Sequence, residues 1–123
     1  MQTAKLKAAG SAPEVEIIVG HLHRADYEFW LFDTAGANPT LVQKGKTGDP
    51  VPDKASLGSV ATLHGRTLWW QAGLVSFVDQ GASEPFIVII RMTQDGQIVA
   101  TDGGTGTMGR PILEGQIFIQ VAP

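Results

Sequence analysis

The dipeptide Asp95-Gly96, set between two runs of β-branched residues, constrains this chain more than any other feature. Asp-Gly accepts the positive φ angles of a two-residue hairpin turn, and the runs PFIVIIRMTQ and QIVATDG on either side read as its strands. Such a loop sets a register in which Gln94 faces Gln97, Met92 faces Val99 and Ile90 faces Thr101. Phe86, Val88, Ile90, Met92 and Val99 then share a core-facing side. The reverse side carries Ile87, Ile89, Ile98 and Ala100, relieved only by Arg91, Thr93 and Asp102. A strand apolar on both sides belongs in the middle of its sheet, covered twice. In this register Arg91 and Asp102 lie diagonally opposite and are expected to form a cross-strand ion pair.

The rest of the chain repeats the theme of short apolar runs between turn signals. Fifteen glycines and seven prolines punctuate its 123 residues, which is the signature of a sandwich or barrel rather than a helical bundle. Residues 1–13 are small and polar and read as a flexible N-terminal arm, leaving 14–123 as one β-sandwich domain. From Glu14 to Leu22 the alternation sets Val15, Ile17 and Val19 against Glu16 and Ile18, and YEFWLFDT sets Tyr27, Phe29 and Leu31 against Trp30 and Phe32. These two runs are expected to pair as a second hairpin. Further strands are expected over Thr40 to Lys46, Ser59 to His64, Thr67 to Asp79 and Ile112 to Val121, with Lys46 to Ser56 as the longest loop and the glycine-rich stretch after Asp102 as a turn region. The predicted fold class is all-β: an antiparallel two-sheet sandwich, jelly-roll-like or immunoglobulin-like, of about eight strands, with a partly closed barrel as the alternative.

Composition narrows function mainly by exclusion. A net charge of -3 without a basic stripe argues against nucleic acid as a partner. The absence of cysteine removes disulfides, thiolate metal sites and thiol nucleophiles. No apolar run of about 18 residues is present, so no transmembrane helix is expected. The opening MQTAKLKAAGSAPEVEIIVG lacks the apolar stretch of a cleavable leader, which leaves the compartment open between cytoplasm and export by another route.

Several motifs imitate known chemistry. Gly104 to Gly109 spells G-x-G-x-x-G, but Pro111 follows and the remaining chain has no room for a βαβ unit. Gly45-Lys46-Thr47 imitates the end of a phosphate loop, yet Thr40 stands where that motif needs glycine. Asp33, Asp49, Asp53 and Asp79 occupy loop-like positions where carboxylates gather round calcium, although aspartate is also the ordinary turn residue. His21 and His23, two apart, project to one face of a strand, as β-proteins present imidazoles to zinc or iron. With Glu28 they spell H-x-H-x-x-x-x-E, which resembles half of the metal motif of the cupins, a β-sandwich family. The resemblance covers this stretch alone and implies a metal-dependent enzyme using His21 and His23, with His64 as a further candidate ligand.

The reading favoured by the residues themselves is a non-catalytic binding module needing no cofactor. Trp30, Trp69 and Trp70 are the candidate ligand-binding residues, because flat aromatic rings stack on sugars and protein partners alike. Trp69 and Trp70 must point to opposite faces of their strand, so one belongs to the core. A ligand site is expected where the Lys46 to Ser56 loop and the glycine-rich loop meet the exposed tryptophan. The doubled apolarity at Trp30 and Phe32, Val75 and Phe77, and Ile87 and Ile89 predicts a homo-oligomer that buries its second faces between copies. A structural subunit completed by a different protein is the remaining alternative.

Overall fold

Alternating apolar residues mark the central strands of a computed structural model that describes residues 1–20, 23–48, 52–76 and 85–122. In chain order the strands are β1 (Gln2–Lys7), β2 (Glu14–Val19), β3 (His23–Phe32), β4 (Thr40–Gly48), β5 (Asp53–Ser56), β6 (Thr67–Ser76), β7 (Pro85–Gln94), β8 (Gln97–Thr107) and β9 (Ile112–Ala122). One sheet has five strands in the order β1-β9-β6-β3-β4, the other four in the order β5-β2-β7-β8. All neighbours run antiparallel except β1 and β9, which are parallel. The fold is an all-β sandwich whose sheets are not closed into a barrel. Among the described residues, no helix is long and apolar enough to cross a membrane.

The inward residues of both sheets form one core. Tyr27, Phe29 and Leu31 of β3 and Leu68, Trp70, Ala72 and Leu74 of β6 meet Val15, Ile17 and Val19 of β2 and Phe86, Val88, Ile90 and Met92 of β7. Polar side chains then tie the two layers together. Near the β8 side, Trp70 Nε1 donates to Asp102 Oδ2 at 2.8 Å, and Gly115 leaves the space: a Cβ there would strike both partners. Near the β5 side, the Tyr27 hydroxyl donates to Asp53 Oδ2 at 2.7 Å and accepts from Gln43 Nε2 at 2.8 Å.

Burial, reinforced by the Asp53 carboxylate, pushes the Tyr27 phenol up to about 12, with the Gln43 bond opposing. The folded chain therefore keeps the phenolic proton over a range in which an unfolded tyrosine, near 10, has lost it. Stability from this group is fully present below about pH 10 and is lost as pH rises toward about 12, by roughly 2 kcal/mol. Tyr27→Phe is expected to begin about 1–2 kcal/mol less stable and to lack this alkaline fall. Urea denaturation of both proteins between about pH 8 and 12 reads the difference directly.

Five local expectations are corrected by the structure. Residues 1–13 are not an arm, because β1 joins β9 and buries Ala4 and Leu6. The side-chain amide of Gln94 then binds the following turn, its Oε1 accepting from Lys7 N and its Nε2 donating to the Lys7 and Ser11 carbonyls. β2 and β3 are not a hairpin: β2 pairs with β5 and β7, and the chain crosses to the other sheet before β3. Residues 60–62 form a 3-10 turn, not a strand, with Val60 and Leu63 buried three apart. The glycine-rich stretch turns only at residues 108–110, where Arg110 N donates to the Thr107 carbonyl, since β8 runs on to Thr107.

The fifth correction concerns the central hairpin. Gln94 does face Gln97, but a bulge follows, so that Thr93 faces Ile98 while Met92 faces Ala100 and Ile90 faces Asp102. Val99 is the extra residue. Beyond it every side chain of β8 is turned to the face opposite the expected one. Ala100 becomes core, and Asp102 turns inward to Trp70. Arg91, left on the outer face, pairs instead with Glu16 of β2 at 2.7 Å.

Candidate functional site

The outer face of the five-stranded sheet is where chemistry-bearing residues gather. Its ladders align them in rows. Phe118, Thr67 and Phe32 form one row; Gln116, Trp69, Trp30 and Leu41 form the next; Glu114, Gln71, Glu28 and Lys44 follow; and Ile112, Gly73, Asp26 and Lys46 complete the set. Successive rows are about 6.8 Å apart, the distance between same-face residues of a strand. Trp30 and Trp69 are direct cross-strand partners and both are half-buried. Leu41 beside them is exposed, where a bulge at Phe29/Trp30 displaces β4 by one residue.

Beyond the indoles the face sinks into a groove of about 550 Å³, lined chiefly by Asp26, Glu28, Lys44, Lys46, Gln71, Gly73 and Ile112. Gly73 is the reason it is hollow. A Cβ placed there would find only the Asp26 carbonyl oxygen, at 3.8 Å. Glu28 faces Lys44 and Asp26 faces Lys46 across the β3–β4 ladder. Among the described residues, neither couple is closed into an ion pair. At the other end of the aromatic rows a smaller cleft of about 130 Å³ lies between Phe32, Gly36, Thr67 and Gln116. The Asp33 carboxylate folds the adjoining loop by accepting from Ala35 N, Ala37 N and Asn38 Nδ2. Those bonds, led by that from Ala37, hold its carboxyl below the usual carboxylate range.

The three candidate tryptophans are thus divided. Trp30 and Trp69 stand together on the outer face, whereas Trp70, 1% exposed, is core and has no surface to offer a ligand. Among the described residues, the expected meeting of the Lys46 to Ser56 loop with the glycine-rich stretch does not occur. Lys46 lies on β4 and residues 53–56 form β5, at one margin of the sandwich, while β8 is an edge strand at the other. Residues 49–51 of that loop lie outside the described residues.

The histidines are not brought together where they can be placed. His23 pairs through its backbone with Ser76, at the far end of β6, whereas His64 precedes the start of that strand and accepts from Val121 N through Nδ1 at 2.9 Å. His21 and the side chain of His23 lie outside the described residues, as do Phe77, Asp49 and Asp79. Among the described residues, no group of three or more His, Asp or Glu is placed to hold a metal ion. Asp53, on β5, is bonded to Tyr27, whereas Asp33 is bonded within the loop between β3 and β4.

The apolar outward residues lie on two faces. Trp30, Phe32 and Val75 lie on the five-stranded sheet, while Ile87 and Ile89 lie on the four-stranded sheet beside Ile18. Ile98, on the same hairpin, is 57% exposed. No known protein family, no curated protein and no solved structure matches the chain.

Proposed function

We propose that this protein is a non-catalytic binding module that engages carbohydrate through the outer face of its five-stranded sheet. The observation that carries the reading is the Trp30–Trp69 pair placed one row from a hollow lined with polar side chains. Half-buried indoles on a sheet face that no described residue covers leave apolar surface in water, at about 25 cal/mol per Å². A sugar ring suits this arrangement. Its C–H face lies on the indoles while its hydroxyls reach Glu28, Lys44 and Gln71 in the next row. The face is also built on interior strands, β3 and β6, each paired on both sides, so the site rests on a rigid support.

The test is a glycan microarray probed with the wild type, Trp30→Ala, Trp69→Ala and Trp70→Phe. Trp30→Ala and Trp69→Ala are expected to bind at least tenfold more weakly, a loss of about 1.4 kcal/mol or more each, with melting temperatures little changed. Trp70→Phe is expected to bind as the wild type does while melting earlier. Hydrolysis of any bound glycan, or equal binding by all four proteins, contradicts the reading.

Self-association belongs to the same proposal. Ile18, Ile87, Ile89 and Ile98 on the opposite, four-stranded sheet supply the apolar surface for it, and joining copies there leaves the glycan faces pointing outward, multiplying avidity. Light scattering behind a sizing column is expected to give a dimer or larger. A monomer at all concentrations removes this part and leaves the glycan face intact.

A further inference from the structure

Resting on the carbohydrate reading of the outer face, we infer that the groove selects a neutral polysaccharide chain, rich in hydroxyls and without ionic groups, lying along β3. Successive sugar units sit over the Trp30–Trp69 pair, the Glu28–Lys44 couple and the Asp26–Lys46 couple.

Charge comes first. β3 offers two carboxylates to the groove and the adjacent β4 offers two ammonium groups, each directly opposite one carboxylate. The lining therefore holds two charges of each sign. Just outside it, Glu114 flanks Gln71 and Arg24 occupies the row beyond Asp26, offsetting one another. A ligand carboxylate or sulfate that approaches Lys44 or Lys46 is set beside Glu28 or Asp26 on the same rung, so attraction and repulsion largely cancel. A ligand ammonium meets the reverse arrangement with the same result.

A hydroxyl meets no such conflict. It donates to the carboxylate and accepts from the ammonium at once, and both are charge-assisted bonds. Two adjacent hydroxyls of one sugar ring satisfy one couple. Gln71, facing Glu28 from the other side on β6, adds an amide that both donates and accepts. Among the described residues, none of Asp26, Glu28, Lys44, Lys46 or Gln71 has a side-chain partner within the chain. Their bonding capacity faces the groove or water.

Shape comes second. Gly73 forms an open floor, and Ile112, 59% exposed, gives a wall on which the C–H edges of a sugar ring rest. The groove begins one row from the indoles and follows β3 for two more rows. A chain bound there passes over all three rows rather than being gripped at one end.

The experiment is affinity electrophoresis in native gels containing one soluble polysaccharide each. The neutral set is xylan, glucomannan, galactan and mixed-linkage β-glucan; the anionic set is alginate, polygalacturonate and heparin; chitosan serves as the cation. The expected result is retardation by at least one neutral polysaccharide and by none of the charged ones. Solution titration of that neutral polysaccharide at about 50 and about 500 mM salt is expected to give affinities within about twofold, because no net charge is neutralised on binding. Gly73→Leu, which fills the floor, is expected to weaken binding at least about tenfold with an unchanged melting temperature. Should Gly73→Leu lose the fold, Gln71→Ala replaces it, with a loss of at least about threefold.

Retardation by charged polysaccharides alone, falling steeply with salt, overturns the inference of neutrality and leaves the glycan face standing. Retardation by none of the polysaccharides overturns both. Wild-type affinity in folded Gly73→Leu and in Gln71→Ala removes the groove from the binding path and overturns the inference.

Discussion

Truncating Trp70 to alanine is expected to lower the free energy of unfolding by about 3–5 kcal/mol. That is a large share of the roughly 5–15 kcal/mol typical of a folded domain. Trp70 is among the largest fully buried side chains and sits on β6, the middle strand of its sheet. Its removal leaves a cavity bordered by stiff strands that cannot collapse into it, and it strips Asp102 Oδ2 of its indole donor. Trp70→Phe separates the two effects. It keeps most of the ring volume but loses the bond, and is expected to cost about 1–2 kcal/mol. Urea denaturation followed by circular dichroism measures both. Equal stability of Trp70→Ala and the wild type contradicts the packing described for the core.

Gly103→Ala is the second substitution expected to be severe, although it adds a single methyl group to a solvent-exposed residue. Gly103 has a φ of 120°, which side-chain-bearing residues rarely adopt. A Cβ there lands on the Val88 carbonyl of the neighbouring strand. Relief requires β8 to move away from β7, and the expected cost is on the order of 3 kcal/mol. Gly104→Ala is the control. The nearest atom to its Cβ is Leu113 Cδ1 at 3.9 Å, and it is expected to be neutral or slightly stabilising, as alanine orders a strand better than glycine. Thermal melts of the two variants are expected to differ widely despite identical chemistry one residue apart.

The contrast between these neighbours shows where sequence reading succeeds. The two-period alternation was enough to give the inward face of β7 and to separate the two faces of β2 and β3, because successive side chains of a strand point to opposite sides. The Asp95-Gly96 turn was equally legible, since its φ requirements are local. A bulge at Val99 was not. Nothing in QIVATD marks the inserted residue, yet it reverses every later side chain of β8 and replaces the expected Arg91–Asp102 pair with Arg91–Glu16 and Trp70–Asp102. β1 escaped notice for a different reason. Its two core residues, Ala4 and Leu6, gain their burial only by pairing with β9 at the opposite end of the chain, and no local pattern announces that.

The binding face was legible in part. Sequence places Trp69 and Trp70 on opposite faces but cannot say which is inside; the cross-strand register with β3 decides it. The hollow beside them needed one more fact. Gly73 reads in the sequence as a strand-weakening residue, and only the ladder positions of Asp26 and Ile112 on either side reveal it as a floor. Glu28, which completes the H-x-H-x-x-x-x-E spacing with His21 and His23, stands between Gln71 and Lys44 on that floor's rim.

The most direct test of the binding face uses the three tryptophans as reporters of position. Each indole N–H gives a separate signal in a proton–nitrogen correlation spectrum, assignable through single Trp→Phe variants. The protein is titrated with neutral oligosaccharides such as xylohexaose, cellohexaose and mannohexaose. With a ligand that binds, the Trp30 and Trp69 signals are expected to shift together while that of Trp70, held on Asp102 inside the sandwich, stays in place. Binding that moves Trp70 alone, or leaves both outer indoles unmoved, places the ligand elsewhere and contradicts the assignment of this face.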